Sequence, residues 1–288
     1  MEASELIRRV RRVELRARGL SNQIFSGEYH SAFKGRGMAF SENRAYQHGD
    51  EIRTIDWNVT ARMRTPYVKV FEEERELTAM LLIDVSASGV LGSRMRSKRE
   101  LAAELAAVLA FSAGQNNDKI GALLFSDRVE RFIPPKKGRS HILRIVREVI
   151  DLEPQGQGTD INLALEHFGR VMKKRTIAFL ISDLQDAGFS ETLKRTARKH
   201  DLVALQLVDD IERQAARLGW IATADPESGA TGFVDSSSTR WRKRFEAASS
   251  RYQSELEDLM KRSGVDHTVL NTGKPYVQPL MQLFDRRG

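Results

Sequence analysis

Asp84, Ser86 and Ser88 stand at alternate positions directly after the apolar run Leu81-Leu82-Ile83. One carboxylate and two hydroxyls leaving the end of a buried strand are hard oxygen donors, the kind Mg2+ takes into its octahedral shell. Two more such donors lie downstream. Thr159 sits in the loop Gly158-Thr159-Asp160, and Asp183 follows Ser182 at the end of the apolar run 176–181. Ser86 and Ser88 can ligate through hydroxyls, Thr159 through its hydroxyl or a water, and Asp84 and Asp183 directly or through water. At least one coordination position is left for an external oxygen, which suits metal-bridged recognition of a carboxylate on a partner. Mn2+ and Ca2+ are the other ions that oxygen donors of this kind accept. Asp-x-Ser-x-Ser alone has an ordinary structural explanation, a strand-to-helix turn whose hydroxyls cap the helix. Three loops in chain order, each with its oxygen ligand, make a more specific pattern.

These loops need elements to hold them. From residue 77 the chain alternates regularly between apolar strands and amphipathic helices. Strands are expected at 78–84, 120–125, 177–181, 202–208 and 268–270, with an edge strand at 128–133. Helices are expected at 97–113, 140–150, 161–171, 190–199 and about 240–262, the last capped by Ser236 to Thr239 and ended by Gly264. Near-continuous apolar strands separated by helices imply an α/β fold with a mostly parallel, doubly wound sheet covered on both faces. In such sheets the strand ends are where sites form. The stretch 218–235, with Asp225-Pro226-Glu227-Ser228-Gly229 at its centre, reads as a hairpin on the sheet's edge.

Before residue 77 the pattern differs. Residues 1–18 carry Leu6, Ile7, Val10 and Val13 at helical spacing among six arginines, a basic helix. It is expected to dock on its own domain with a solvated arginine face, the alternative being contact with a membrane surface or an acidic partner. Residues 19–76 read as an extension of irregular chain and short strands, including one at 68–71. The glycines of Phe33-Lys34-Gly35-Arg36-Gly37 lack the Lys-Ser/Thr and helix of a phosphate-binding loop and read as turns. The remainder, 77–288, forms the main domain.

The chain has 288 residues, 41% hydrophobic and 30% charged, enough for one large core with appendages. Its net charge of +7 is spread as +2 over 1–78, +5 over 79–208 and zero over 209–288. Without a long basic run, no specific nucleic-acid partner is expected. Lys136, Lys137, Arg139, Arg144 and Arg147 read as a solvated loop and helix face. Cysteine is absent, which excludes disulfides, thiolate zinc sites and cysteine nucleophiles. No apolar stretch approaches the ~20 residues of a spanning helix, and the N-terminus has no hydrophobic signal core. A cytoplasmic protein is expected.

An enzyme reading uses the same residues. A strand-terminal Asp followed by Ser/Thr and a second strand-terminal Asp also occurs in phosphotransferases that form an aspartyl-phosphate, so Asp84 could serve a metal-dependent phosphohydrolase. Ser86 stands where the usual general acid would be, and nothing in the sequence places Lys98 or Lys119 near a phosphate. Ser86 and Ser88 lack a Gly-x-Ser-x-Gly elbow. The six histidines show no metal spacing.

The constellation Asp84, Ser86, Ser88, Thr159, Asp183 resembles the metal-ion-dependent adhesion site of von Willebrand factor A domains. The chain as a whole resembles the bacterial and archaeal family called domain of unknown function 58. The segments that carry the likeness are Phe33-Lys-Gly-Arg-Gly-Met-Ala-Phe40, Arg44-Ala-Tyr-Gln-His-Gly-Asp50, Ile52-Arg-Thr-Ile-Asp-Trp-Asn58, Tyr67-Val-Lys-Val-Phe-Glu72, Lys119-Ile-Gly121, Pro134-Pro135 and Gly158-Thr159-Asp160. The resemblance covers roughly 20–235. It implies a von Willebrand A-like domain, metal binding at the five positions, no catalytic residue, and partnership with a MoxR-type AAA+ ATPase as adaptor or chaperone-like protein. Many family members carry N-terminal membrane helices; this sequence has none. The segment Gln47 to Trp57 either builds a second surface or is structural, with Ile52 and Trp57 filling core and Asp50, Arg53 and Asp56 satisfying one another.

Overall fold

The computed structural model describes residues 11, 13–17, 19–21, 38–73, 77–90, 96–214, 217–224 and 231–287. It forms two compact units, Lys34–Leu77 and Met1–Phe33 together with Thr78–Gly288.

The larger unit is built on a six-stranded sheet. Its strands are β3 (Thr78–Asp84), β4 (Lys119–Phe125), β5 (Val129–Lys136), β6 (Ile177–Ser182), β7 (Asp201–Val208) and β10 (Asp266–Asn271). They lie in the order β10-β7-β6-β3-β4-β5. All neighbours are parallel except β5, which pairs antiparallel with β4 at one edge. The expected doubly wound, mostly parallel architecture is therefore present. Strand order reverses across β3, so the chain leaves β3 and β6 side by side at the carboxyl ends of the central strands, where such sheets open a crevice.

Both faces are covered. Met80, Leu82, Leu123, Phe125, Leu180 and Ala204 pack with Phe168 and Leu165 of α4 (Ile161–Val171), Leu193 of α5 (Ser190–Lys199) and Leu256 and Met260 of α6 (Thr239–Ser263). Residues of opposite parity, such as Phe179, meet the other layer, where Phe284 of α7 (Val277–Asp285) stacks edge-on at 6.4 Å. α2 (Lys98–Gln115) is buried almost all round, from Leu101 to Ala113, so it lacks a polar face. Gly114 lets it approach α3 (Arg139–Asp151): a Cβ there would lie 2.4 Å from Ile142 Cδ1.

Helix ends follow the sequence. Ser97 and Glu100 form a reciprocal capping box on α2, Ser238 caps α6, and Gly264 ends it in the left-handed region at φ 66°. Two expectations need correction. The hairpin of β8 (Trp220–Ala224) and β9 (Thr231–Asp235) forms, but it pairs only with itself as a separate two-stranded sheet rather than extending the edge. The sheet's edges are β10 and β5 instead. Helix α7 was not foreseen either, because its apolar residues fill only nine positions.

The helical residues 13–17 and 19–21 belong to the larger unit. Ala17 and Ser21 are buried, Arg16 donates to Glu104 at 2.8 Å and Arg139 reaches Glu14 at 2.8 Å. The docked helix expected from the sequence is what these residues form. Arg8, Arg9, Arg12 and Arg18 lie outside the described residues. So do residues 33–37 and the side chains of the acidic run that starts at Glu72.

The smaller unit pairs β1 (Met38–Ala45) antiparallel with β2 (Tyr67–Glu73) around the short helix α1 (Trp57–Met63). Asp50 is held by both guanidinium nitrogens of Arg44, at 2.7 and 2.8 Å, and not by Arg53. The guanidinium, then the Gln47 N–H, hold its carboxyl below the usual range. Asp56 caps α1 through Asn58 N and Val59 N, with Lys69 at 3.6 Å. Ile52 and Trp57 are exposed, 71% and 68%, so they do not fill a core as the structural reading required. Among the described residues no helix is long and apolar enough to cross a membrane.

His200, at the end of α5, is 1% exposed, packs on Phe168 at 4.5 Å, and has no hydrogen-bond partner on either ring nitrogen. Burial, then Lys199 and Arg175, push it down to about 4. Between pH 6.5 and 4 the unfolded chain therefore binds the proton that the folded chain refuses. Stability from this group is complete above the unfolded value and is lost as pH falls through that window. Urea denaturation at pH 7 and pH 5 should show a loss on the order of 2 kcal/mol attributable to His200. His200→Leu should flatten that part of the profile; an unchanged profile would mean the imidazole is solvated.

Candidate metal site

Asp84, Ser86 and Ser88 leave β3 on a tight turn that enters a 3-10 turn, Ala87–Val90. The Asp84 carboxylate organises that turn, since its Oδ1 accepts the Ser86 N–H at 2.9 Å. Its Oδ2 accepts the Ser182 hydroxyl at 2.6 Å, which ties β3 to β6. The Ser182 hydroxyl in turn accepts the Leu184 N–H at 3.0 Å. Ser86 Oγ and Ser88 Oγ lie 3.0 Å apart.

Thr159 is positioned by a clamp at the end of β4. Glu130 Oε1 accepts the N–H groups of Gln155 (3.0 Å) and Gly156 (2.8 Å), and also the Ser126 hydroxyl at 2.6 Å. Asp127 accepts from the backbone of Gly158 and Gln157. Burial raises its carboxyl, but Arg128 and those N–H groups outweigh it and hold the carboxyl low. Asp160 N–H donates to Ser126 O at 2.9 Å, and the Asp160 side chain caps α4 at Leu163 N. The Thr159 loop meets the Ser86 loop through Ala87 N–H to Gln157 O, 3.3 Å. Ile161 N–H reaches Asp186 Oδ2 at 2.8 Å, which joins it to the third loop.

Asp183 follows β6 and is nearly buried. Its Oδ1 accepts the Gln185 N–H at 3.1 Å and its Oδ2 the Lys98 ammonium at 2.9 Å. Leu184 next to it has φ 61°, a left-handed conformation rare for a branched residue. Tyr252 of α6 donates its hydroxyl to Leu184 O and so holds that turn. Burial first, then Asp183 and Asp186, push this phenol up to about 12, so it stays a donor.

The structure thus brings the three loops to one end of the sheet. Asp84, Ser86 and Ser88 share one turn, and Asp183 faces Asp84 closely enough to raise its pKa. Burial, then the Asp183 charge, push the Asp84 carboxyl up to about 6 against the hydrogen bonds from Ser182 and Ser86. Thr159 comes in with its loop, tied to the first by the 157–87 hydrogen bond. Among the described residues no group of three or more His, Cys, Asp or Glu is placed to hold a metal. The donor set is two carboxylates with hydroxyls. Ser86 and Ser88 share a hydrogen bond at 3.0 Å, and hydroxyls grouped with carboxylates are hard oxygen donors whose chemistry fits a small divalent cation. Two carboxylates in mutual repulsion supply the charge.

Three members of this neighbourhood were not read from the sequence as site residues. Ser182 was seen only as part of a strand end. Lys98 and Glu212 lie 85 and 114 positions from the residues they meet, Asp183 and Lys98. Glu212 belongs to the 3-10 turn Asp210–Glu212 after β7, and its charge beside Asp209 and Asp210 was the only signal. In the basic cluster at 136–147, Arg139 is engaged by Glu14 and Arg144 lies 4.0 Å from Glu148.

A family model described as "Protein of unknown function DUF58" matches residues 42–255. A relative in Mycobacterium tuberculosis, "Uncharacterized protein Rv1480", is 26% identical over 281 residues, which is 96% of this chain and 88% of that one. Among solved structures, a "conserved hypothetical protein BatB" from Bacteroides thetaiotaomicron superposes with a TM-score of 0.49 at 15% identity, over 73% of this chain and 98% of that one. Proximal thread matrix protein 1 from the mussel byssus, "with zinc occupied MIDAS motif", gives 0.37 at 18% identity over 46% and 38%.

Gly156 has no room for a side chain. A Cβ there would lie 2.0 Å from Asp127 Oδ1 and 2.2 Å from the buried Ser126 Oγ. Gly156→Ala must therefore displace the Thr159 loop, and chemical denaturation should show a loss of about 1–3 kcal/mol. An unaltered midpoint would mean that the clamp on this loop is loose.

Proposed function

This chain belongs to the family described as protein of unknown function DUF58, and we propose that its larger unit is a non-enzymatic, Mg2+-dependent protein-interaction module. The observation that carries the reading is the Ser86–Ser88 hydroxyl pair, 3.0 Å apart beside the Asp84 carboxylate. Ser86, Ser88 and Thr159 would hold the ion through hydroxyls, and Asp84 and Asp183 would contribute charge. The bound cation supplies a Lewis-acidic link to a carboxylate of another protein. The protein's own part is to keep these oxygens in place and to limit water, through the Ser182 hydroxyl and Ser86 N–H bonds to Asp84 and the clamp on the Thr159 loop. Mn2+ and Ca2+ are the substitutes to test beside Mg2+.

The partner we propose is a MoxR-type AAA+ ATPase in the cytoplasm, engaged through an exposed acidic residue. Support for it comes from the family signature, whose segments Arg44 to Asp50 and Ile52 to Asn58 fall largely within the matched region. The competing reading, a metal-dependent phosphohydrolase using Asp84, gains one observation: Lys98 does reach the site. Turnover of a generic phosphate ester that is lost in Asp84→Asn would favour it.

Isothermal titration of Mg2+ and Mn2+ into wild type should show one site that is absent in Asp84→Ala, with the circular dichroism spectrum unchanged. Pull-down of the ATPase should then depend on metal. Retention of the ATPase in excess EDTA would sink the metal-bridged mode.

A further inference from the structure

Lys98 is an unusual place for a charge. It is the first residue of α2, at the positive end of a helix dipole, and its side chain is only 3% exposed. Both features oppose a cation. Its ammonium is held there by Asp183 Oδ2 at 2.9 Å and Glu212 Oε1 at 2.5 Å. Glu212 is itself fixed: its other oxygen accepts the Asp209 N–H at 3.1 Å, and Gln185 Nε2 lies 3.4 Å from Oε1. The ammonium therefore neutralises one of the two carboxylates on which the proposed metal site depends. Lys98, Asp183, Asp84 and Ser88 line the same small cavity.

We propose that Lys98 is a tethered counter-cation of the metal site, which stabilises Asp183 in the metal-free protein and opposes the entry of a divalent ion. This rests on the reading of Asp84, Ser86, Ser88, Thr159 and Asp183 as a metal site and adds a residue that sets its affinity. Without Lys98, an arriving ion meets the charges of Asp84, Asp183 and Glu212 with Arg99 as the remaining cation lining that cavity. With it, one of those charges is cancelled. Glu212 acts in the opposite sense: it shares the ammonium with Asp183 and so leaves more of the Asp183 charge for the ion. A purely structural buried ion pair has no such opposed signs, because removing either partner only loosens Asp183.

The test is Mn2+ titration by calorimetry on the full chain, for wild type, Lys98→Met, Lys98→Gln and Glu212→Gln, each checked for native circular dichroism. Lys98→Met should tighten Mn2+ binding about tenfold or more, since a unit charge close to a divalent ion in a partly desolvated site is worth at least that factor. Lys98→Gln should shift in the same direction, and Glu212→Gln should weaken binding several-fold. Metal should also raise the melting temperature of Lys98→Met more than that of wild type. Binding in a folded Lys98 variant that is equal to or weaker than wild type would overturn the counter-cation while leaving the metal site standing. Absence of binding in wild type and in both Lys98 variants would overturn both. Silence in wild type with binding in Lys98→Met would support the proposal strongly. If neither Lys98 variant folds, the sign of the Glu212→Gln effect decides: tighter or unchanged binding overturns it.

Discussion

Two carboxylates held side by side at the end of a parallel sheet are the constraint that the rest of the site answers to. The pairing of β3 with β6 puts Ile83 opposite Ile181. Asp84 therefore ends one strand beside Ser182, and Asp183 comes one residue later. Neither can move away, because both follow strands whose residues are fully buried. Lost hydration, then the Asp183 charge, raise the Asp84 carboxyl. Each carboxylate oxygen has a donor: Ser86 N–H and Ser182 hydroxyl on Asp84, Gln185 N–H and Lys98 on Asp183. These bonds fix direction as well as energy, since charge-assisted hydrogen bonds are the strong ones.

What keeps the donors in register lies further out. Leu184 takes a left-handed backbone conformation that costs on the order of 1–3 kcal/mol for a non-glycine residue. Its side chain is fully buried in the core on the α4 and α6 side of the sheet, and its carbonyl is taken by Tyr252. The conformation is over-determined by packing at one end and a partly buried phenol at the other. The Thr159 loop is treated differently: no strained residue is needed, because Glu130, Asp127 and Ser126 gather its N–H groups from one side while Gly156 leaves room for them. The two loops meet at the Ile161–Asp186 bond. A shift of α6 would thus be felt at Asp183 before it reached Thr159.

Much of this was legible because it is local. Apolar runs of strand length named β3, β4, β6 and β7, and the helices between them ended within two residues of where the caps placed them. Asp-x-Ser-x-Ser could be read because all three residues share one turn. Other features depend on partners far away in sequence. Lys98 was a lysine the sequence could not place near the site; Asp183 and Glu212, far away in sequence, place it. The hairpin at 220–235 was recognisable from its turn residues, but whether it joined the sheet depended on tertiary packing, which alternation does not encode. In the smaller unit the sequence left open whether Ile52 and Trp57 fill core or belong to a second surface, and both are exposed. The acidic residues of that segment do the structural work: Asp50 locks Arg44 and Asp56 starts α1. Hydrophobicity alone does not assign a residue to the inside of a unit this small, where there is little inside to fill.

The same charge arrangement bears on both readings of the site, recognition and phosphoryl chemistry. An aspartate that attacks phosphorus must be ionised and present a free lone pair along the line of attack. Asp84 accepts one hydrogen bond on each oxygen, which fixes its direction, and burial, then Asp183, raise its carboxyl to about 6. Ser86 occupies the position from which a second carboxyl would protonate a leaving group. Lys98, the cation that a phosphate would need, is enclosed by Asp183 and Glu212 at 2.9 and 2.5 Å. In the recognition reading proposed above, the same features would hold the site's oxygens in place around two carboxylates.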